Sequence, residues 1–222
     1  GGTAYAAPSE KLNIAGIGVG GMGAANLRAL QSENIIALCD VDSDYAAKTF
    51  NQYPDATVYK DYRVMLEKQQ DIDAVVIATP DHTHAVIAMA AMRAGKHVYC
   101  QKPLTHTVYE SRRLAQVAAE RGVCTQMGIQ GHSGKDARQV CEWIASGAIG
   151  GVREVLTWCS LTYYPWGHAS WSASRGTRPE ETPPVPETLD WDLWLGPAPF
   201  RPYHSCYHPR TWRSWLDFGC GM

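Results

Sequence analysis

The chain has 222 residues, 45% of them hydrophobic, with 20 Lys and Arg set against 22 Asp and Glu for a formal net charge of -2. That length buries a sizeable core, in one large domain or in one domain and part of another. Near-balanced charge without any Lys/Arg run excludes the electrostatic footprint of nucleic-acid or anionic-membrane binding. No apolar run approaches the ~18 residues of a membrane span, so the expected partner is a small molecule.

Residues 1–10 are mostly small and carry two readings: a flexible N-terminus, or the remnant of a trimmed export signal, because Ala4-Tyr5-Ala6 has the A-x-A form of a cleavage region. The second reading predicts a periplasmic or otherwise exported protein, the first a cytoplasmic one. From Lys11 to Met127 short β-branched runs alternate with helical patterns, the rhythm of βαβ units on a parallel sheet. Strands are expected at 12–17, 35–40, 74–78, 97–100 and 123–127. Helices are expected at 22–30, 43–53, 62–68, 83–94 and 108–121, with Gly95 and Gly122 placed to end the last two. A second domain is expected over 128–222, opening with a helix at 135–146 stopped by Gly147 and a strand at 153–160. From Thr162 onward the chain is crowded with Pro, Trp, Tyr and His without a repeat, a texture that suits binding rather than disorder.

The first expected strand runs straight into Gly18-Val19-Gly20-Gly21-Met22-Gly23, which fits G-x-G-x-x-G before a helix-forming segment. The first glycine permits the turn, the second lets a pyrophosphate approach the backbone, and the third lets helix and strand pack, with helix amides facing the phosphate charge. A glycine-rich turn without a ligand is the bland alternative. Against it stands Asp40, which ends the second strand about 20 residues on, where a carboxylate accepts from the adenosine ribose hydroxyls. Asp40-Val41-Asp42-Ser43-Asp44 is acidic and lacks Arg, so NAD is expected rather than NADP. The strand ending at Ala78 leads into Thr79 and Pro80, placed to wall the cofactor, and then to His84, which reads either as a locally bonded first-turn residue or as a site residue.

The seven cysteines, at 39, 100, 124, 141, 159, 206 and 220, include no C-x-x-C pair, and no metal site or disulfide framework is read from them. His204 and His208 stand at i, i+4, but Pro209 and the missing further ligand argue against a metal site there.

Val98-Tyr99-Cys100-Gln101-Lys102-Pro103-Leu104 resembles the Glu-Lys-Pro signature of the Gfo/Idh/MocA oxidoreductases, and nearly the whole chain shares the likeness. The glycine turn, Asp40, the Ala78-Thr79-Pro80 segment with His84, Ala94-Gly95-Lys96-His97-Val98, and Ser146-Gly147-Ala148-Ile149-Gly150 before the 152–158 run all belong to it. The resemblance implies a Rossmann domain followed by an α/β domain with an open, mainly antiparallel sheet, acting on a sugar or polyol carbon with NAD(P). It implies that Lys102 lies beside the nicotinamide and the reacting hydroxyl. Gln101 stands where the signature has Glu; its amide can still bond the cofactor, but a charge partner for Lys102 is missing. Gln130 and His132 fall where the resemblance places groups near nicotinamide and substrate. It also implies a catalytic Asp and His after a stretch like Asp217-Phe218-Gly219-Cys220-Gly221, downstream of Met222, so that 128–222 is expected to be the first part of its domain.

The stretch from Tyr207 to Phe218 resembles the substrate-side segment of an exported bacterial subgroup. There Trp212 and Trp215 are candidates to stack on sugar faces, with core packing as the alternative, and Arg213 and Asp217 to bond hydroxyls or a carboxylate. Trp191-Asp192-Leu193-Trp194-Leu195-Gly196-Pro197 reads as an arm that packs on another subunit of a homo-oligomer. The expected function is hydride transfer between a sugar, polyol or glycoside hydroxyl carbon and NAD, assisted by Lys102. Its alternatives are an NAD-dependent glycosidase working by transient oxidation and elimination, and an NAD-binding protein without turnover.

Overall fold

The computed structural model of the chain describes residues 11–158, 171–173 and 176–220. Ala4-Tyr5-Ala6, Cys159 and the end of the strand expected at 153–160 lie outside them. Six strands, β1 (Asn13–Ile17), β2 (Asn34–Cys39), β3 (Thr57–Tyr59), β4 (Ala74–Ile77), β5 (His97–Gln101) and β6 (Thr125–Gly128), form one sheet in the order β3-β2-β1-β4-β5-β6. Every ladder is parallel. This is the doubly wound order, and it puts a crevice at the carboxyl edge where β1 meets β4.

Side chains alternate between the faces of the sheet as a strand's period of two requires. Val75 and Ile77 of β4 join one apolar cluster with Met65, Ile87, Met92 and Leu114, while Val76 joins another with Ile14, Leu27 and Leu38. The helices on the two faces are α1 (Gly21–Ala29), α2 (Ser43–Gln52), α3 (Tyr62–Lys68), α4 (Asp81–Arg93) and α5 (Val108–Arg121). Their starts are written in the sequence. Asp42 caps α2 by accepting from the Asp44 and Tyr45 amides, Asp61 caps α3, and Thr107 with Glu110 makes a reciprocal capping box on α5, which ends at left-handed Gly122.

Two expectations are corrected. β3 escapes sequence reading because three residues are too few for a periodic signal, and two of them are exposed at the sheet's edge. The strand expected from Arg153 pairs with nothing over 152–158, where Val155, Leu156 and Trp158 are exposed. A strand needs a neighbour for its backbone groups, and none of the described residues supplies one. Accordingly the described residues hold no antiparallel sheet after residue 128; that stretch contributes α6 (Lys135–Ala145), none of whose residues is buried.

Residues 187–220 fold back onto the carboxyl edge of the sheet, so that the tryptophans of the expected arm pack within their own chain. The short helix α7 (Trp191–Leu195) places Trp191 and Trp194 in a buried cluster with Leu189, Tyr207, Trp212 and Phe218. Trp191 and Trp194 stack at 4.5 Å, and the Trp191 indole donates to the Arg201 carbonyl at 2.7 Å. The seam to the cofactor domain is a backbone match, with the Ser43 amide donating to the Thr188 carbonyl and the Asp190 amide to the Val41 carbonyl.

Gly23 is the tightest point of the fold, since a Cβ there would fall on the Gly18 carbonyl. Gly23→Ala is expected to destabilise the chain by about 2 kcal/mol in urea denaturation. A change within about 0.5 kcal/mol, the range of ordinary surface substitutions, would refute that constraint.

Candidate active site

The turn from β1 into α1 is built from its own backbone. Gly18 takes φ +76, which a side chain would strain, and its amide donates to the Cys39 carbonyl at 2.8 Å. Asp40 follows β2 and turns its carboxylate back to the turn, where Oδ2 accepts from the amides of Val19 at 2.8 Å and Gly20 at 3.2 Å. Oδ1 accepts from the Asp42 amide at 3.1 Å. Burial pushes the Asp40 carboxyl above its ordinary range; the three amides oppose that, and the Asp42 charge adds to it. No side chain caps α1, so its first amides point unanswered along the turn.

These groups open onto a cleft of about 510 Å³, inside the roughly 300–1,000 Å³ range of small-molecule sites. One wall is the cofactor domain, with Gly18, Gly20, Gly21, Met22, Asp40, Thr79 and Pro80 of the expected residues. The other wall is the arm, with Trp194, His208, Trp212 and Arg213. Val19 and Gly23 are buried beneath the turn and hold its shape. A dinucleotide fits this donor set: helix amides for the pyrophosphate and a half-buried carboxylate for the ribose hydroxyls.

The remaining expected residues are placed less uniformly. Gln101 is buried and outside the cleft lining; its Oε1 accepts from Gln130 Nε2 at 3.0 Å, and its own Nε2 is buried against Gly128 without a hydrogen-bond partner. Lys102 follows β5 at the same sheet edge as Thr79, exposed and outside the cleft lining; burial raises the Asp81 carboxyl, and the Lys102 charge is near enough to be among those that oppose the rise. His84 lies buried with Nδ1 2.7 Å from the Pro103 carbonyl oxygen and Nε2 2.7 Å from that of Thr79, which is the locally bonded reading. His132 is exposed on the 3-10 turn Gln130–Ser133 and stands off the cleft.

Trp212 is buried in the arm's cluster and shows the cleft only part of its ring, so core packing takes most of the surface that a sugar face would need. Trp215 donates its indole N–H to the Cys206 carbonyl at 2.9 Å. The Arg213 guanidinium lies 4.1 Å over the Trp212 ring; burial lowers its pKa, against the pull of Asp81 and Tyr45. Asp217 is corrected: Arg201 takes its carboxylate in a salt bridge, leaving the substrate role to other groups. His204 and His208 share no helix, since His208 Nε2 pairs with Asp42 Oδ2 at 2.7 Å and His204 Nδ1 accepts from the Cys206 amide. Among the described residues no cluster of His, Cys, Asp or Glu fits a metal ion.

Four features escaped sequence reading. Tyr45, on the first turn of α2, lays its ring against the Gly20 and Gly21 backbone and faces His208 edge-on at 6.1 Å. Asp81 and His82 open α4 and receive the arm: Asp81 Oδ2 accepts from the Cys220 amide at 3.1 Å. His82 Nε2 lies 3.0 Å from the Trp194 carbonyl oxygen, and its Nδ1 lies 3.2 Å from that of Phe218. Residues Lys60 to Arg63, after β3, reach the cleft beside Asp40. Only the chain's path brings these together, so no local pattern announces them.

An oxidoreductase family with an NAD-binding Rossmann fold matches residues 12–129, and its C-terminal α/β domain matches residues 133–222. An inositol 2-dehydrogenase of Salmonella typhimurium is 30% identical over 140 residues, 60% of this chain and 41% of that protein. A levoglucosan dehydrogenase of Pseudarthrobacter phenanthrenivorans is 30% identical over 154 residues, 64% of this chain and 39% of its own length. The crystal structure of a myo-inositol 2-dehydrogenase from Lactobacillus plantarum superposes with a TM-score of 0.60 at 28% identity, covering 64% of this chain and 43% of that one. The chain thus spans about two fifths of the relatives it matches.

Burial lowers the His82 pKa from 6.5 to about 4, with His106 and His84 adding to the shift and the two arm carbonyls opposing it. Between those values the unfolded chain binds a proton that the folded one refuses, so stability rises with pH across the window and falls as pH drops from about 6.5 toward 4. The loss is expected to be on the order of 3 kcal/mol at the bottom of the window. Chemical denaturation of wild type and His82→Gln at stepped pH checks it, and identical slopes would rule out His82 as the source.

Proposed function

The chain belongs to the Gfo/Idh/MocA oxidoreductase family, and on that premise we propose that the protein passes a hydride between a hydroxyl-bearing carbon of a sugar, polyol or glycoside and NAD. The observation that carries this reading is the meeting of three things in one cleft: the uncapped α1 terminus, the Asp40 carboxylate and the arm. Bound NAD would supply the hydride acceptor at its nicotinamide ring. The names of the relatives, inositol 2-dehydrogenase and levoglucosan dehydrogenase, support a polyhydroxylated substrate.

The roles fall to this chain's residues by their chemistry. The backbone amides of Gly21 and Met22 take the pyrophosphate, Asp40 takes the ribose hydroxyls, and Thr79 and Pro80 wall the nucleotide. Gln101, buried at the end of β5, holds Gln130 through its Oε1 and so shapes the sheet edge beside Lys102. Lys102 donates to the oxygen of the reacting hydroxyl, whose proton passes to water as the carbon gives up its hydride to NAD, with Gln130 and His132 as further candidates after β6. Arg213 offers a desolvated guanidinium to hydroxyls or a carboxylate. Export in the folded, cofactor-loaded state and assembly into a homo-oligomer belong to the same reading. NAD released on denaturing periplasmic protein tests the first, and sedimentation tests the second.

Titration with NAD followed by tryptophan fluorescence, then NADH absorbance against a panel of inositols, anhydrosugars and glycosides, tests the whole. Lys102→Ala is expected to retain NAD affinity while turnover in the full-length enzyme drops by at least about 100-fold. Unchanged turnover in that variant removes Lys102 from the chemistry, and aglycone release without net NADH would favour oxidation and elimination instead.

A further inference from the structure

The acidic run after β2 is one source of preference for NAD, but it is not the whole charge pattern at the ribose. β3 lies against β2 with Tyr59 opposite Cys39, and the Asp40 amide donates to the Tyr59 carbonyl at 3.1 Å. Residues that leave β3 therefore emerge about one strand spacing, roughly 4.8 Å, from those that leave β2. They are Lys60-Asp61-Tyr62-Arg63, and all four line the cleft with Asp40. The buried Cys39 thiol registers the proximity, since the charges of both Asp40 and Asp61 add to the burial that raises its pKa.

An arginine beside the ribose is the usual means of holding a 2′-phosphate, and this fold carries one. Arg63 is nevertheless engaged. Its Nε reaches both Asp61 oxygens at 3.0 Å, and its NH2 reaches Oδ2 at 2.7 Å. Asp61 is also fixed from its own side, because Oδ1 caps α3 by accepting the Arg63 amide at 2.8 Å. A carboxylate held by a helix cap and a guanidinium held by that carboxylate in a two-toothed contact make a neutral pair, with the Arg63 side chain itself exposed to solvent.

We propose that Asp61 is a cofactor-specificity residue: by occupying Arg63 it withholds from the ribose 2′ position a guanidinium that would take a 2′-phosphate. Choice of NAD over NADP then rests on two carboxylates with different tasks. Asp40 repels the phosphate, and Asp61 removes its receptor. The inference rests on the NAD reading and extends it to a residue on a neighbouring strand.

The test is Asp61→Asn, which keeps an acceptor to cap α3 and loses the charge that holds Arg63. Calorimetric titration of the purified chain with NAD and with NADP gives the ratio of their dissociation constants. The NADP-to-NAD ratio is expected to fall by about tenfold or more, the scale of one charge-assisted hydrogen bond. Asp61→Asn combined with Arg63→Gln is expected to return the ratio to the wild-type value. A ratio unmoved in the single variant overturns the proposal, and so does a shift that survives removal of Arg63, which would trace it to lost repulsion alone. Should Asp61→Asn melt early, Asp61→Ser supplies the cap and is read the same way. A wild-type chain that binds neither nucleotide would overturn the cofactor reading itself, a result distinct from an unmoved ratio.

Discussion

The Asp40 carboxylate accepts from the amides of Val19, Gly20 and Asp42, and the first two of these bonds join the end of β2 to the turn that leaves β1. A carboxylate placed this deep would be expelled or neutralised without them, because burial favours its uncharged form. The amides need the carboxylate in turn, since without it two donors of the turn would lose their partner. With both ends fixed, α1 starts at a defined place and aims its uncapped terminus across the crevice. The ligand then meets a surface already in shape, so little ordering cost is left for binding.

The arm uses a different principle. Its aromatic cluster supplies apolar burial, but the polar contacts at its seam decide where that cluster sits. His82 faces the carbonyls of Trp194 and Phe218, Asp81 receives the Cys220 amide, and His208 meets Asp42. Buried polar pairs of this kind contribute modestly to stability because desolvation offsets their attraction, but a displaced arm would leave each of them unsatisfied. They work as an address. Asp42 has two roles, capping α2 with one oxygen and receiving His208 with the other, so the helix that begins beside the ribose also anchors the opposite wall.

The cofactor half of the site was legible because its information is local. G-x-G-x-x-G and Asp40 lie within a few turns of chain, and the periodicity around them says strand or helix without reference to anything distant. What was not legible is held by contacts far apart in sequence. Asp61 and Arg63 come to the cleft beside Asp40 only because β3 pairs with β2, and β3 is too short to be read. Asp217 looked free for substrate because nothing nearby announces Arg201. Residues 152–158 have strand composition, but composition does not supply the partner that a ladder needs. Trp191 and Trp194 read as an arm aimed at another subunit because nothing local announces the backbone match at Val41 and Ser43 that seats them on their own chain.

His84 offers no chemistry to the cleft, and its value is dimensional. One ring nitrogen meets the carbonyl of Thr79 in the nucleotide wall, and the other meets the carbonyl of Pro103, the residue after Lys102. An imidazole has no internal rotation, so the span between the two loops is set by a ring of constant width and not by side-chain torsions. One substitution at His84 would therefore free two loops at once, the one that follows β4 and the one that follows β5, although the ring lines no part of the cleft.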